Sequence, residues 1–264
     1  MISLSNFADL EVHWESSEDL SDLETASVQS VITSPPYWNL KDYGHDEQIG
    51  TTDESYERYL NRLQQVFNEC YQCLRDDGTM WIVVDSLIER GNMKLLPYHV
   101  AERARDCGFL LQNMIVWYKP TAIAGMNDRT VVNKKEYIVF LSKSESYSLH
   151  PEMNEDVGDE DPAKTTTDEL GTIWRHPVKR GSLGQNVSHK APFPVPLAKR
   201  LVQVSTEPRN IVLDPFLGSG TTAYAALSED RRCLGYEINQ EFESVVSSRL
   251  ADLQQSALHT NFQG

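Results

Sequence analysis

Ser34-Pro35-Pro36-Tyr37-Trp38 is the stretch of this chain whose residue types combine most readily into chemistry. Two successive prolines fix φ at both positions and bias the residue before them to extended geometry, so the Ser34 hydroxyl and the Pro35 carbonyl are expected to point in set directions. Tyr37 and Trp38 add aromatic faces. Such a loop suits a planar base bearing an exocyclic amine. The lone pair of that amine is delocalised into the ring, which makes it a poor nucleophile. Hydrogen bonds from its N–H groups to a serine hydroxyl and a carbonyl pull it toward tetrahedral character and aim the lone pair at an electrophile, for direct transfer without a covalent enzyme intermediate. Holding two reactants in line is worth about 7–11 kcal/mol in favourable cases. A base in a duplex must first leave the stack, and stacking on Tyr37 returns roughly 1–3 kcal/mol. Alone, the tetrapeptide is a proline turn; its position and a second motif give it weight.

The second motif is Ile211-Val212-Leu213-Asp214-Pro215-Phe216-Leu217-Gly218-Ser219-Gly220-Thr221-Thr222, which reads as a strand, a glycine turn and a helix start. Rossmann-type sheets present backbone to nucleotide-like ligands in this way. Glycines there admit positive φ and close approach. Gly218-x-Gly220-x-x-Ala223 loosely matches the dinucleotide fingerprint, which keeps a nicotinamide-dependent oxidoreductase open, while the absence of a lysine after the second glycine argues against a P-loop. Asp214 at the strand end suits a ligand carrying an ammonium and a sulfonium better than a pyrophosphate, which favours S-adenosylmethionine. Some twenty residues on, Glu237 ends the next strand, where a carboxylate can accept both ribose hydroxyls.

The elements that must position these loops alternate. VQSVITS (28–34) reads as a buried strand that the prolines terminate. A helix follows at about 53–75, capped by Thr52 or Asp53, and then a strand at 79–85, a helix at about 97–107 and strands from FLLQNMIVWY and EYIVFLSKS. Periodicity is lost from about 144 to 186. It returns with a helix at 194–205, the strand and glycine loop, a helix from TAYAALSED, strand CLGYEI and a last helix to about 254, with the final ten residues as a loose tail. Alternating strands and helices imply a parallel or mixed sheet in an α/β fold. We expect one domain over 1–264, with a catalytic half at about 28–143, an insert at about 144–188 and a cofactor-binding half at about 189–254.

The net charge of −15 on 264 residues weighs against nucleic acid at first sight, but the charge is unevenly placed. Residues 1–30 carry seven acids and no Lys or Arg, whereas 172–206 carries Arg175, Lys179, Arg180, Lys190, Lys199 and Arg200 with no acid. That run is a candidate phosphate-binding face. The four cysteines are too few and scattered for a disulfide framework, and Cys70-x-x-Cys73 falls in a helical apolar pattern that favours packing over metal binding, so no metal is expected. No apolar run approaches membrane-spanning length and the N-terminus is acidic, so the expected compartment is the cytoplasm.

Thr33-Ser34-Pro35-Pro36-Tyr37-Trp38 near one end and Asp214-Pro215-Phe216-Leu217-Gly218-Ser219-Gly220-Thr221-Thr222 near the other, in that order, resemble the permuted, beta-type amino-methyltransferase family of DNA modification enzymes over about 28–250. Asp128-Arg129 ahead of Glu136–Lys143, and His189-Lys190-Ala191-Pro192-Phe193-Pro194, match as well, although Thr130 stands where the family usually has proline. The resemblance implies a Rossmann-like S-adenosylmethionine-dependent methyltransferase sheet with helices on both faces, circularly permuted motif order and a small irregular target-recognition insert. It implies double-stranded DNA as substrate, catalysis by Ser34, Pro35, Pro36 and Tyr37, and a cofactor site from Asp214, Pro215, Phe216, Gly218, Ser219, Gly220, Thr221, Glu237 and Phe193. Trp38, Arg129, Arg175, Lys179, Arg180 and Lys190 are the expected DNA contacts, with Gln185 and Asn186 as further candidates. Serine at the first loop position is usual for cytosine N4 members and aspartate for adenine N6 members, so cytosine N4 is the expectation and adenine N6 the alternative. A homodimer and a cognate restriction endonuclease are further expectations. A non-catalytic DNA-binding module would keep the fold without the activity.

Overall fold

The computed structural model describes residues 3–40, 42–120, 133–153, 170–177 and 193–261, with side chains described as far as residue 253. In chain order the main elements are β1 (Leu10–His13), β2 (Val28–Thr33), α1 (Tyr56–Cys73), β3 (Leu74–Val84), β4 (Leu87–Glu89), β5 (Asn92–Lys94), α2 (Leu96–Asp106), β6 (Leu110–Tyr118), β7 (Lys135–Ser142), β8 (Ile173–Arg175), α3 (Val195–Ser205), β9 (Ile211–Asp214), α4 (Thr221–Ser228), β10 (Arg232–Tyr236) and α5 (Glu243–Asn261). Eight strands form one mixed sheet in the order β1-β10-β9-β2-β3-β7-β6-β8. The run from β1 to β3 is parallel, β7 is antiparallel to both β3 and β6, and β8 lies parallel to β6 at the far edge.

The sheet is covered on both faces because its central strands alternate apolar side chains to each side. Val31, Met80, Ile82 and Val84 join α1 and α2 in one core, while Ile32, Trp81 and Val83 join α3, α4 and α5 in the other. Every residue of β2 is buried. Cys70 and Cys73 sink into the first core from one face of α1.

The expected helices and strands recur with shifted ends. Ser55 caps α1 by accepting the Arg58 N–H, in place of Thr52 or Asp53, and β3 begins directly at Leu74, five residues ahead of the expected Thr79. The last helix continues to Asn261, through the stretch from 255 that the sequence reads as a loose tail. Among the described residues of the insert, Ile173–Arg175 form β8, which extends the sheet, and Trp174 is fully buried against Trp81, itself stacked on Phe140. Besides β8, the edge strand β1 in the acidic N-terminus and the short hairpin β4–β5 are strands the sequence reading does not anticipate.

From β2 the chain passes through α1 to β3 on one side; from β9 it passes through α4 to β10 on the other. The crevice between the C-terminal ends of β2 and β9 is therefore a topological switch point, where open α/β sheets bind ligands.

Candidate active site

Both loops singled out in the sequence leave the sheet at this switch point and line one pocket. Ser34, Pro35, Pro36 and Tyr37 form part of its wall, and Asp214, Pro215, Phe216, Leu217, Gly218, Ser219 and Thr221 form another. Phe193 and Glu237, both expected, lie in the wall as well, with Tyr236 added; Gly220, expected with them, is not part of the lining and instead sets the turn that opens α4. The strand ends are tied together through Asp214, whose carboxylate accepts the Thr33 hydroxyl at 2.7 Å, the Thr222 hydroxyl at 2.6 Å and the Phe216 N–H at 3.1 Å. Asp214 is only 2% exposed, and burial pushes its carboxyl up to about 6 against the opposing pull of those hydrogen bonds. It thus sets the spacing of the two loops in addition to facing the pocket.

The glycine turn has the local geometry its sequence demands. Gly218 and Gly220 have φ of 49° and 75°, and a Cβ on Gly220 would sit 3.0 Å from Val246 Cγ1. Glu237 accepts the Gly218 N–H with one oxygen and the Asn239 N–H with the other, both at 2.9 Å, and burial raises its pKa. Each carboxylate oxygen retains a lone pair for a ligand hydroxyl. Ser219 lines the pocket, and Arg249 donates to its hydroxyl at 3.2 Å and to its carbonyl at 2.7 Å. Thr221, at the first position of α4, has a buried hydroxyl oxygen with no protein partner among the described residues. An unpartnered buried hydroxyl at a helix start, beside a carboxylate with vacant acceptors and the rings of Phe193 and Phe216, fits a ligand that mixes polar and apolar groups.

The proline loop is held from behind. Tyr59, fully buried, donates its hydroxyl to the Pro36 carbonyl at 2.8 Å. The Asp85 N–H donates to the Tyr37 hydroxyl at 2.9 Å, and Asp85 is in turn held by Lys135 at 3.1 Å and by Asn133. Among the described residues, the Ser34 hydroxyl and the Pro35 carbonyl have no hydrogen-bond partner, and they are the groups the sequence assigns to an amine.

The expected DNA contacts fare differently. Trp38 is a correction: it is 8% exposed, donates its indole N–H to the Glu54 carbonyl at 2.7 Å and packs edge-on against Tyr56, so it belongs to the core. Arg175 stands exposed on the edge strand β8. Arg129, Lys179, Arg180, Gln185, Asn186 and Lys190 lie outside the described residues. Two cations of the basic run are engaged internally: Arg200 is buried with its guanidinium 4.0 Å from the Trp174 ring centroid, and Lys199 pairs with Glu229 at 2.8 Å. Sequence reasoning misses Glu15, Ser16, Ser17, Tyr43 and Ile49 in the pocket wall, and Asp85 behind Tyr37. Glu15–Ser17 arrive there only because β1 pairs with β10, a partnership that four residues do not announce.

A parallel-to-mixed α/β sheet with a proline loop and a glycine loop meeting at its switch point, the proline loop first in the chain, defines a permuted methyltransferase fold. The chain belongs to the N6_N4_Mtase DNA methylase family, whose model matches residues 28–248. It is 31% identical over 257 residues to the type II methyltransferase M.Cfr9I of Citrobacter freundii, covering 86% of this chain and 83% of that one. It is 30% identical over 264 residues to M.SmaI of Serratia marcescens, covering 88% and 87%. TTHA0409 of Thermus thermophilus, described as a DNA modification methylase and solved with S-adenosyl-L-methionine, superposes with a TM-score of 0.66 at 30% identity, over 92% of this chain and 93% of that one. The PvuII cytosine-N4-specific DNA methyltransferase shares the fold with a TM-score of 0.73 at 20% identity, over 91% and 85%.

Proposed function

We propose that this DNA methyltransferase modifies the exocyclic N4 amine of cytosine in double-stranded DNA, after the target base leaves the stack. The observation that carries the reading is the polar inventory of the proline loop. The Pro36 carbonyl and the Tyr37 hydroxyl are both occupied by protein groups, while the Ser34 hydroxyl and Pro35 carbonyl are left to a ligand at the pocket mouth. A serine hydroxyl and a carbonyl can each accept one N–H of an amine. Drawing both hydrogens into these bonds localises the nitrogen lone pair, and Tyr37, fixed at its hydroxyl, offers the ring face on which the base stacks.

S-adenosylmethionine is the cofactor, and when bound it supplies an electrophilic methyl group. Asp214, Pro215, Phe216, Gly218, Thr221, Glu237 and Phe193 would hold it, with Glu237 taking ribose hydroxyls through its vacant acceptors and Asp214 favouring its positive charge. Ser219 contributes backbone and shape. Arg175, with Arg129, Lys179, Arg180 and Lys190, would meet DNA. Serine in place of aspartate at the loop's first position supports cytosine over adenine. A homodimer and a partner restriction endonuclease fit the company of type II methyltransferases.

The test is direct. Purified protein, DNA and labelled S-adenosylmethionine are incubated, the DNA is digested to nucleosides and the products are separated by mass. N4-methylcytosine is the expected product. N6-methyladenine would overturn the choice of base, and an unmodified digest would overturn the activity.

A further inference from the structure

The β4–β5 hairpin carries a feature the cofactor and proline loops do not explain. Its turn, Arg90-Gly91, has positive φ at both residues, 48° and 80°, the geometry of a tight two-residue type I′ turn that makes the tip a defined wedge. One face of the hairpin is anchored. Leu87 is buried in the core that includes Trp38, and Lys94, its cross-strand partner, lies over the rings of Tyr56 and Trp38 at 4.9 and 5.9 Å. The opposite face presents Ile88 and Met93, paired directly across the strands and 65% and 61% exposed, the two most exposed large apolar side chains among the described residues. Charge at the tip is positive: Glu89 and Lys94 pair with each other at 3.2 Å, which leaves exposed Arg90 without an acid among the described residues.

The position of the hairpin is as informative as its surface. β4 starts two residues after Asp85, whose N–H holds the Tyr37 hydroxyl, so the wedge rises from the same strand end that supports the proline loop. An apolar pair with an unpaired cation, next to a site that takes a base, fits a duplex whose stack has been opened and whose phosphates run alongside.

We propose that the Ile88/Met93 pair enters the DNA beside the target and fills the space its base vacates, with Arg90 on the adjoining phosphate. The proposal rests on base extrusion, as argued under the proposed function. It replaces the stacking lost by the target's neighbours with apolar contact, and so lowers the free energy of the extruded state.

The test uses the full chain and a duplex carrying its own recognition sequence, obtained by sequencing DNA methylated by the protein. Ile88→Ser/Met93→Ser is expected to methylate the intact duplex at least about tenfold more slowly, yet to stay within about twofold of wild type on a duplex with an abasic position opposite the target, where the base is already unpaired. Ile88→Thr alone, which keeps the β-branched strand residue, shows a smaller loss in the same direction. Equal loss on both duplexes, or none on either, overturns the wedge. So does a change in the sedimentation of the free protein, which would assign the pair to contact with a second copy. A fluorescent base analogue at the target position separates the two claims. No rise with wild type overturns extrusion and the wedge with it, whereas a rise that the double variant retains overturns the wedge alone.

Discussion

The crevice between β2 and β9 and the sheet edge at β8 treat their polar side chains in opposite ways. In the crevice, Thr33, Thr222, Tyr59 and Arg249 each satisfy a neighbour inside the protein, and the few groups left over, on Ser34, Pro35, Thr221 and Glu237, all face one pocket. At the edge, a run rich in cations splits between inside and outside. Arg200 lies buried on Trp174, whereas Arg175, next to that same tryptophan in the chain, stands in solvent. The pocket is thus recognised by what remains unpaired among the described residues after a dense network closes, whereas an exposed cation at the edge stands out only after subtracting the charges that hold the core together.

The largest break in this contrast comes from Ser34. Ser34→Ala removes a group with no partner among the described residues, so stability should stay within about 0.5 kcal/mol of wild type, as for a substitution that leaves nothing buried and unpaired. Methyl transfer should fall by about 100- to 1,000-fold, the typical loss for one preorganised hydrogen-bonding group at a reacting centre. Single-turnover rates together with thermal denaturation check both halves. A variant that is unstable but still active would place Ser34 in the structural network instead.

Arg200 predicts the reverse pattern. Its guanidinium is desolvated against Trp174, the face of which it covers. Arg200→Ala should cost about 2 kcal/mol or more in stability through the lost cation–π contact and the cavity left behind. DNA affinity measured well below the melting temperature should change little. A large loss of affinity in a chain of unchanged stability would return Arg200 to the DNA-facing set.

These two residues also mark how far the sequence can be read. The proline and glycine loops are legible because each carries its geometry locally, in residues that fix φ or admit positive φ, and because each directly follows an apolar run that reads as a strand. Alternation likewise announces β7 and the helices α1 to α4 to within a few residues, whereas β3 starts five residues early and α5 runs seven residues past its expected end. Trp38 misleads because an aromatic beside the proline loop looks the same in sequence whether its indole N–H finds water or the Glu54 carbonyl. Lys199 and Arg200 mislead because composition counts charges without their partners. β1 and the β4–β5 hairpin escape notice because three or four residues carry too short a pattern, and their stability comes from tertiary pairing.

Asp214 sharpens the comparison through pH. Its carboxyl, pushed up to about 6 by burial, keeps a proton in the free protein over a range where an exposed aspartate would not. A raised carboxyl pKa means that the ionised form costs stability, a cost absent below the unfolded value near 3.8 and complete above about 6. A positively charged ligand favours the carboxylate, so its binding releases this proton. Affinity for S-adenosylmethionine should therefore rise by up to about tenfold per pH unit below about 6 and level off above it. Calorimetry from about pH 5 to about pH 8, spanning both regimes, measures the slope. Asp214→Asn should flatten it, and S-adenosylhomocysteine, which lacks the sulfonium charge, should show a weaker slope on the wild type. Equal slopes for the two ligands would mean that Asp214 answers to the ammonium both carry and not to the sulfonium, and no slope with either would leave it to loop spacing alone.

The smallest effect belongs to Arg175, and it tests the exposed half of the contrast. β8 pairs with β6 through Tyr118↔Arg175, which fixes the backbone of Arg175 at the sheet edge while its side chain remains exposed. Removing a solvated side chain there leaves the core untouched, so Arg175→Ala should not shift the melting curve, in contrast to Arg200→Ala. If Arg175 meets a phosphate, it displaces one condensed counterion on binding. Its loss should then weaken DNA binding at low salt and reduce the slope of log K against log salt by about 0.9, equally for cognate and unrelated duplexes. Titrations at several salt concentrations read that slope. A loss confined to the cognate sequence with the slope unchanged would move Arg175 from the backbone to a base edge, and an unchanged affinity would leave the whole DNA-facing charge to other residues of the basic run.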